Sequence, residues 1–170
     1  MEHEQMTYVE ALKWLANKYN IEVREREMSE EEKREQNDRE SMFIVNKWAM
    51  EYFNNILLND VDGRAVGMQY FRSRGFRDDI IEKFHLGFAL PSRNALAQEA
   101  LRKGFNEKYL IATGLCFKRD NGELVDKYSG RVMFPWIGVN GNVRAFGGRL
   151  LDSRTKGVQQ KYINSSDSEI

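Results

Sequence analysis

With 170 residues, 41% hydrophobic and 31% charged, the chain is sized for one compact domain with an appended segment. Its 26 Lys and Arg balance 26 Asp and Glu, which excludes a uniformly basic nucleic-acid binder; two prolines and 13 glycines exclude a collagen-like or low-complexity chain. The single cysteine, Cys116, excludes an internal disulfide and a cysteine-based zinc cluster, and is expected to be a buried, reduced thiol. No stretch approaches the ~18 apolar residues of a membrane span. The opening MEHEQMTYVEALKW lacks the basic-then-apolar order of a secretory signal, so a cytoplasmic protein is expected.

Thr7 and Glu10 have capping-box spacing, with Met6 and Ala11 placed as a hydrophobic staple. Tyr8, Ala11, Leu12, Leu15 and Tyr19 then recur at helical spacing and predict a short amphipathic helix that stops at Asn20. One such helix followed by IEVRERE cannot make a core. Residues 1–27 therefore read as the helical tail of a preceding domain. Residues 28–41 are polar and charge-dense, and fit a solvated linker or a long helix capped by Ser29–Glu32 equally well. From Met42 to Leu58, Val45, Trp48, Ala49, Tyr52, Phe53 and Ile56 share one helical face, and Asn59-Asp60-Val61-Asp62-Gly63 breaks it. A second helix is expected from about Arg64 to Ser73, stopped by Gly75, and a third after Asp78 carrying Ile80, Ile81 and Phe84.

Beyond His85 the texture changes. LGFAL reads as a short strand before Pro91, and two short helices end near Gly104 and Gly114. Strands are then expected at Leu115–Phe117 and Glu123–Tyr128 about an Asp120-Asn121-Gly122 turn, and at RVMFPWIGV and NVRAFGGRLL about Asn140-Gly141. KYIN is the last candidate strand. The fold class is α+β, N-terminal helices followed by an antiparallel β-sheet with hairpins, and residues 42–170 form its main subdomain.

No complete active site stands out. His3 and His85 have no cysteine or carboxylate partner at ligand spacing, and Gly147-Gly148 lacks the strand-to-helix setting of a phosphate loop. No catalytic residue and no metal ligand is assigned. Charge is unevenly spread: residues 1–40 hold 7 basic against 12 acidic side chains, whereas residues 127–164 hold 7 basic against Asp152 alone. Paired glycines inside a strand mark a bulge or a close approach. Arg149 after them can aim a planar donor fork at phosphate, Arg131 opens the preceding strand, and Tyr162 and Asn164 beside Lys161 offer a stacking ring and a polar handle. An ordinary solvated β-face accounts for the same residues.

Tyr70-Phe71-Arg72-Ser73-Arg74-Gly75-Phe76 followed by Ile80-Ile81-Glu82-Lys83-Phe84-His85-Leu86-Gly87-Phe88-Ala89 resembles the "YLxxRGLxxxxIxxFxLGyAP" stretch of bacterial (DnaG-type) DNA primases. Gly130-Arg131-Val132-Met133-Phe134-Pro135, Arg144-Ala145-Phe146-Gly147-Gly148-Arg149 and Lys161-Tyr162-Ile163-Asn164-Ser165 resemble, in order, that family's "GRvmFPI", "vxaFGGR" and "pKYlNSpet" blocks. The resemblance implies that residues 42–170 are the N-terminal subdomain of the RNA-polymerase core and residues 1–27 the end of the zinc-binding domain. It implies a piece of a larger protein that makes RNA primers on single-stranded DNA from ribonucleoside triphosphates. That protein would use Mg²⁺ or Mn²⁺ and structural Zn²⁺, and meet the replicative helicase through a C-terminal region outside this chain. No cofactor is expected here, because the carboxylates that hold catalytic metal would lie downstream; the chain alone is expected to be inactive. Arg131, Arg149, Lys161, Tyr162 and Asn164 fall on the family's basic or nucleotide-contacting positions, and Arg74 on a recurring arginine. Lys127 and Ser129 stand where the family often carries arginines. A phage-type helicase–primase and a plain interaction module are the alternatives.

Overall fold

A computed structural model describes residues 8–11, 14, 29–151 and 160–165. The chain divides into two compact units, residues 1–35 and 36–170. Residues 8–11 and 14 are helical, in line with the short N-terminal helix; Thr7, Met6, Leu12, Leu15, Tyr19 and Asn20, which frame that expectation, lie outside the described residues, as do Arg154 and Lys156 of the basic stretch.

Of the two readings of residues 28–41, the structure takes the helix: α1 runs over Glu30–Asn59. Its start is chemically specified. The Ser29 hydroxyl oxygen accepts the Glu32 N–H at 3.1 Å, and Glu30, Glu31 and Glu32 fill the first turn, where the helix dipole favours negative charge. From Met42 onward the apolar stripe takes over, and Met42, Val45, Asn46, Ala49, Met50, Phe53, Ile56 and Leu57 are buried. Past Asn59 the Asp60 carboxylate accepts the Asp62 and Gly63 N–H groups. The expected second helix begins as a π-helical turn, Gly63–Met68, before α2 (Gln69–Ser73). Gly63 is needed there: a Cβ would fall 1.9 Å from the Ile56 carbonyl oxygen. Helix α3 (Asp78–Lys83), strand β1 (Gly87–Phe88), and helices α4 (Ala95–Arg102) and α5 (Glu107–Ala112) follow.

Strands β2 (Cys116–Lys118) and β3 (Leu124–Asp126) form their own antiparallel pair. The main sheet has the order β1-β4-β5-β6, with β4 Arg131–Ile137, β5 Val143–Leu150 and β6 Tyr162–Asn164, all antiparallel. Core fills both faces. On one, Val45, Ala49 and Phe53 of α1 pack with Tyr128, Met133 and Phe146; on the other, Phe71, Ile81 and Leu57 pack with Phe88 and Val132. Cys116 is a buried free thiol, as expected, and burial pushes its pKa up.

Asn46 ties helix to sheet. It is 1% exposed, and its amide donates to the Val143 carbonyl at 3.1 Å. Asn46→Ala removes that donor and leaves a buried carbonyl short of a partner. A loss of about 1–3 kcal/mol in urea unfolding is expected; a change within experimental error would show the bond to be dispensable.

Candidate nucleic-acid interface

The register of the sheet decides which side chains meet. Arg149 lies opposite Tyr162 and Gly147 opposite Asn164, so these four positions share one face. On the other side of β5, Val132, Phe134 and Trp136 lie opposite Arg149, Gly147 and Ala145 and join the same face. Its inner part is covered by α2, where Phe71 meets Phe134 edge-on at 5.7 Å. That packing sets the adjacent Tyr70 beside Arg149.

A cation–aromatic array results. The Arg149 guanidinium carbon is 4.8 Å from the Tyr70 ring centroid and 5.7 Å from that of Tyr162. Its Nε donates to the Tyr162 hydroxyl at 3.0 Å. Arg74, one helical turn after Tyr70, stands 5.5 Å over the same ring, and Lys161 Nζ lies 5.9 Å from Tyr162. The rings orient the cations without neutralising them. Among the described residues, none of Arg74, Arg149 or Lys161 forms an ion pair with a carboxylate, so their remaining donors stay available to an anion. The local field is visible in Tyr162: the hydrogen bond from Arg149, with the charges of Arg149, Lys161 and Arg74, holds its phenol below the usual pKa.

Two expected members of this face are elsewhere. Arg131 pairs with Leu150, one step out of phase with Arg149, so its side chain enters the opposite face and is only 5% exposed. Its Nη1 donates to the Lys161 carbonyl at 3.1 Å. Lys127 is half-buried, and its ammonium donates to the Asn164 carbonyl at 2.9 Å. Both brace the three-residue strand β6 from behind: they position Lys161, Tyr162 and Asn164. The Tyr128 hydroxyl meets Ser165 Oγ at 2.9 Å, and that oxygen accepts the Phe146 N–H.

The paired glycines serve opposite faces. A Cβ at Gly148 would come within 2.9 Å of the Tyr128 ring and 3.1 Å of Arg131 Cδ, so Gly148 makes room for the brace. On the outer face Gly147 is buried beneath Asn164, whose Oδ1 would lie 3.3 Å from a Cβ there. Tyr70 was not among the residues expected at the site, although its i,i+4 spacing to Arg74 in the helical Tyr70–Arg74 run pointed to it.

A cavity of about 960 Å³ opens between α1 and α2–α3, lined in part by Asn54, Leu58, Arg64, Met68, Arg72 and His85, and shares no residue with the array. Among the described residues, no group of three or more His, Cys, Asp or Glu side chains could hold a metal ion, so the Mg²⁺, Mn²⁺ or Zn²⁺ implied by the resemblance have no fitting ligand set there. No helix among them is long and apolar enough to cross a membrane.

The family model for the DNA primase catalytic core, N-terminal domain, matches residues 52–170. DNA primases of Halalkalibacterium halodurans and Deinococcus radiodurans are each 33% identical, over 98% and 99% of this chain and 27% and 26% of their own lengths. The chain thus spans about a quarter of the curated relatives it matches. The RNA polymerase domain of Mycobacterium tuberculosis primase DnaG superposes with a TM-score of 0.70 at 28% identity, over 77% of this chain and 41% of that one. A DnaG primase catalytic domain bound to ssDNA gives 0.68 at 28% identity, over 79% and 41%. The Aquifex aeolicus primase, with its zinc-binding and RNA polymerase domains, gives 0.66 at 26% identity, over 98% and 37%. Helices that feed an antiparallel sheet with a cationic outer face, together with these matches, place the chain in the family of the bacterial DNA primase catalytic core, N-terminal domain.

Proposed function

We propose that this chain is the template- and nucleotide-holding part of a cytoplasmic DNA primase, a nucleotidyltransferase that makes RNA primers on single-stranded DNA. The observation that carries this reading is the array on the open sheet face: Arg74, Arg149 and Lys161 with free donors, interleaved with Tyr70 and Tyr162. Guanidinium and ammonium groups fix phosphate register, and aromatic rings accept bases of any identity. Sequence is then read by pairing between template and incoming ribonucleotide. The related catalytic domain bound to ssDNA supports the reading. Mg²⁺ or Mn²⁺ would be held by carboxylates in the rest of the parent protein, Zn²⁺ by its zinc-binding domain, and the replicative helicase would dock on a further region.

Each phosphate contact on a single strand contributes about −0.7 to the slope of log K against log salt. Arg149→Ala and Lys161→Ala are each expected to shallow that slope by roughly 0.7 in fluorescence anisotropy with a short oligonucleotide at three salt concentrations. Lys161 is exposed, so its replacement should change stability by less than ~0.5 kcal/mol. Arg131→Ala should instead lower stability, because it frees a strand from its brace. Unchanged slopes in both surface variants would overturn the basic-face assignment.

A further inference from the structure

Trp136 lies on the same face as the array and takes no part in it. It is 56% exposed, an unusual state for so large a ring. Across β5, a Cβ at Gly147 would come 3.8 Å from the indole Nε1 and 3.3 Å from Asn164 Oδ1, so indole and carboxamide close over the strand from its two sides and leave Gly147 itself buried. Among the described residues, neither the indole N–H nor the Asn164 carboxamide hydrogen-bonds to another protein group. Arg149, two residues along the strand from Gly147, supplies positive charge on the same face, and Lys161 follows at the start of the β6 segment.

Building on the single-strand reading above, we propose that Trp136 and Asn164, drawn together over the buried Gly147, form a platform for one unpaired base. The indole stacks on the base, Asn164 reaches its hydrogen-bonding edge, and Arg149 and Lys161 hold the flanking phosphates. Gly147, itself buried, lets the indole and the carboxamide lie low over the strand, so that a flat ring rests across the two exposed side chains rather than on the glycine. An apolar protein partner would use Trp136 and the neighbouring Val139 but would leave Asn164 and the cations unanswered, whereas a nucleotide answers all of them.

The test compares two eight-nucleotide single strands, oligo-dT and its abasic counterpart, which share phosphates and differ only in bases. Wild-type chain should prefer oligo-dT, with tryptophan fluorescence quenched by oligo-dT and not by the abasic strand. Trp136→Ala should weaken oligo-dT binding roughly 5- to 100-fold while leaving abasic binding and the salt slope unchanged. Trp136→Phe, which keeps a ring, should retain most of the affinity and lose the quenching. Trp136→Ala binding oligo-dT as wild type does, or losing both strands equally, would overturn the platform while the basic face stands. Failure of the wild-type chain to bind either strand would overturn both. The quenching comparison needs no variant, so a folding defect in Trp136→Ala would not shelter the proposal.

Discussion

Phe71→Ala is expected to lower the unfolding free energy by about 3–5 kcal/mol. Phe71 is fully buried and meets three other rings, Tyr70 at 5.6 Å, Phe76 at 5.3 Å and Phe134 at 5.7 Å, the last two nearly perpendicular. Truncation removes the transfer free energy of the ring, opens a cavity and breaks the edge-to-face contacts together. For a domain whose total stability is on the order of 5–15 kcal/mol, this is a large fraction. A fall of about 10 °C in melting temperature should accompany it. The effect reaches the site, because Phe71 sits between Tyr70, whose ring holds Arg74 and Arg149, and Phe134, the cross-strand neighbour of Gly147. Oligonucleotide affinity should therefore fall along with stability. Arg74→Ala, on the turn that follows, separates the two: its side chain is exposed, so affinity should drop and the melting temperature should hold. Calorimetry of both variants with parallel anisotropy titrations checks this, and an unchanged melt for Phe71→Ala would refute the packing argument.

What the sequence made legible follows from where each cause resides. The stripe of Val45, Ala49, Phe53 and Ile56 is a local periodicity, and those residues are the buried face of α1. Asn140-Gly141 is a local turn signal, and the β4–β5 hairpin closes there. The π-helical turn is not written in any helix propensity; its first residue, Gly63, packs so close to the Ile56 carbonyl that a Cβ would fall 1.9 Å from it. Arg131 is the instructive case. A two-residue turn at Asn140-Gly141 would pair Arg131 with Leu150, and the structure keeps that pair, although the hairpin closes through Gly138 and Asn142 with a register shift at Trp136/Ile137; strand alternation then separates Arg131 from Arg149. Charge suggested that the two converge; parity, equally present in the sequence, sends them to opposite faces. The meeting of Tyr70 with Arg149 joins a helix to a strand distant in sequence, and only tertiary packing creates it.

The second large effect concerns Asp126, on β3, which caps α4 from thirty residues away in sequence. Asn94, just before that helix, makes no side-chain cap. Instead the Asp126 carboxylate accepts the Leu96 N–H at 2.8 Å and the Ala97 N–H at 2.9 Å. Burial raises its pKa from 3.8 to about 6, against the opposing pull of those two N–H groups. The folded state therefore binds this proton more tightly than the unfolded state does. The associated stability is fully present below pH ~4 and is lost as pH rises through ~6; two pKa units correspond to about 3 kcal/mol. Asp38, held low by the Tyr109 hydroxyl and Lys108, and Glu99, held low by Arg102, give the reverse trend. The informative quantity is thus the difference between wild type and Asp126→Asn, which keeps one acceptor and cannot ionise. Relative to this variant, wild type should lose up to about 3 kcal/mol between pH 4 and pH 7 in urea unfolding, with the loss spread between the two pKa values, from pH ~4 to a little above pH ~6. Parallel stability curves for the two proteins would show that Asp126 ionises in the folded chain as freely as in the unfolded one.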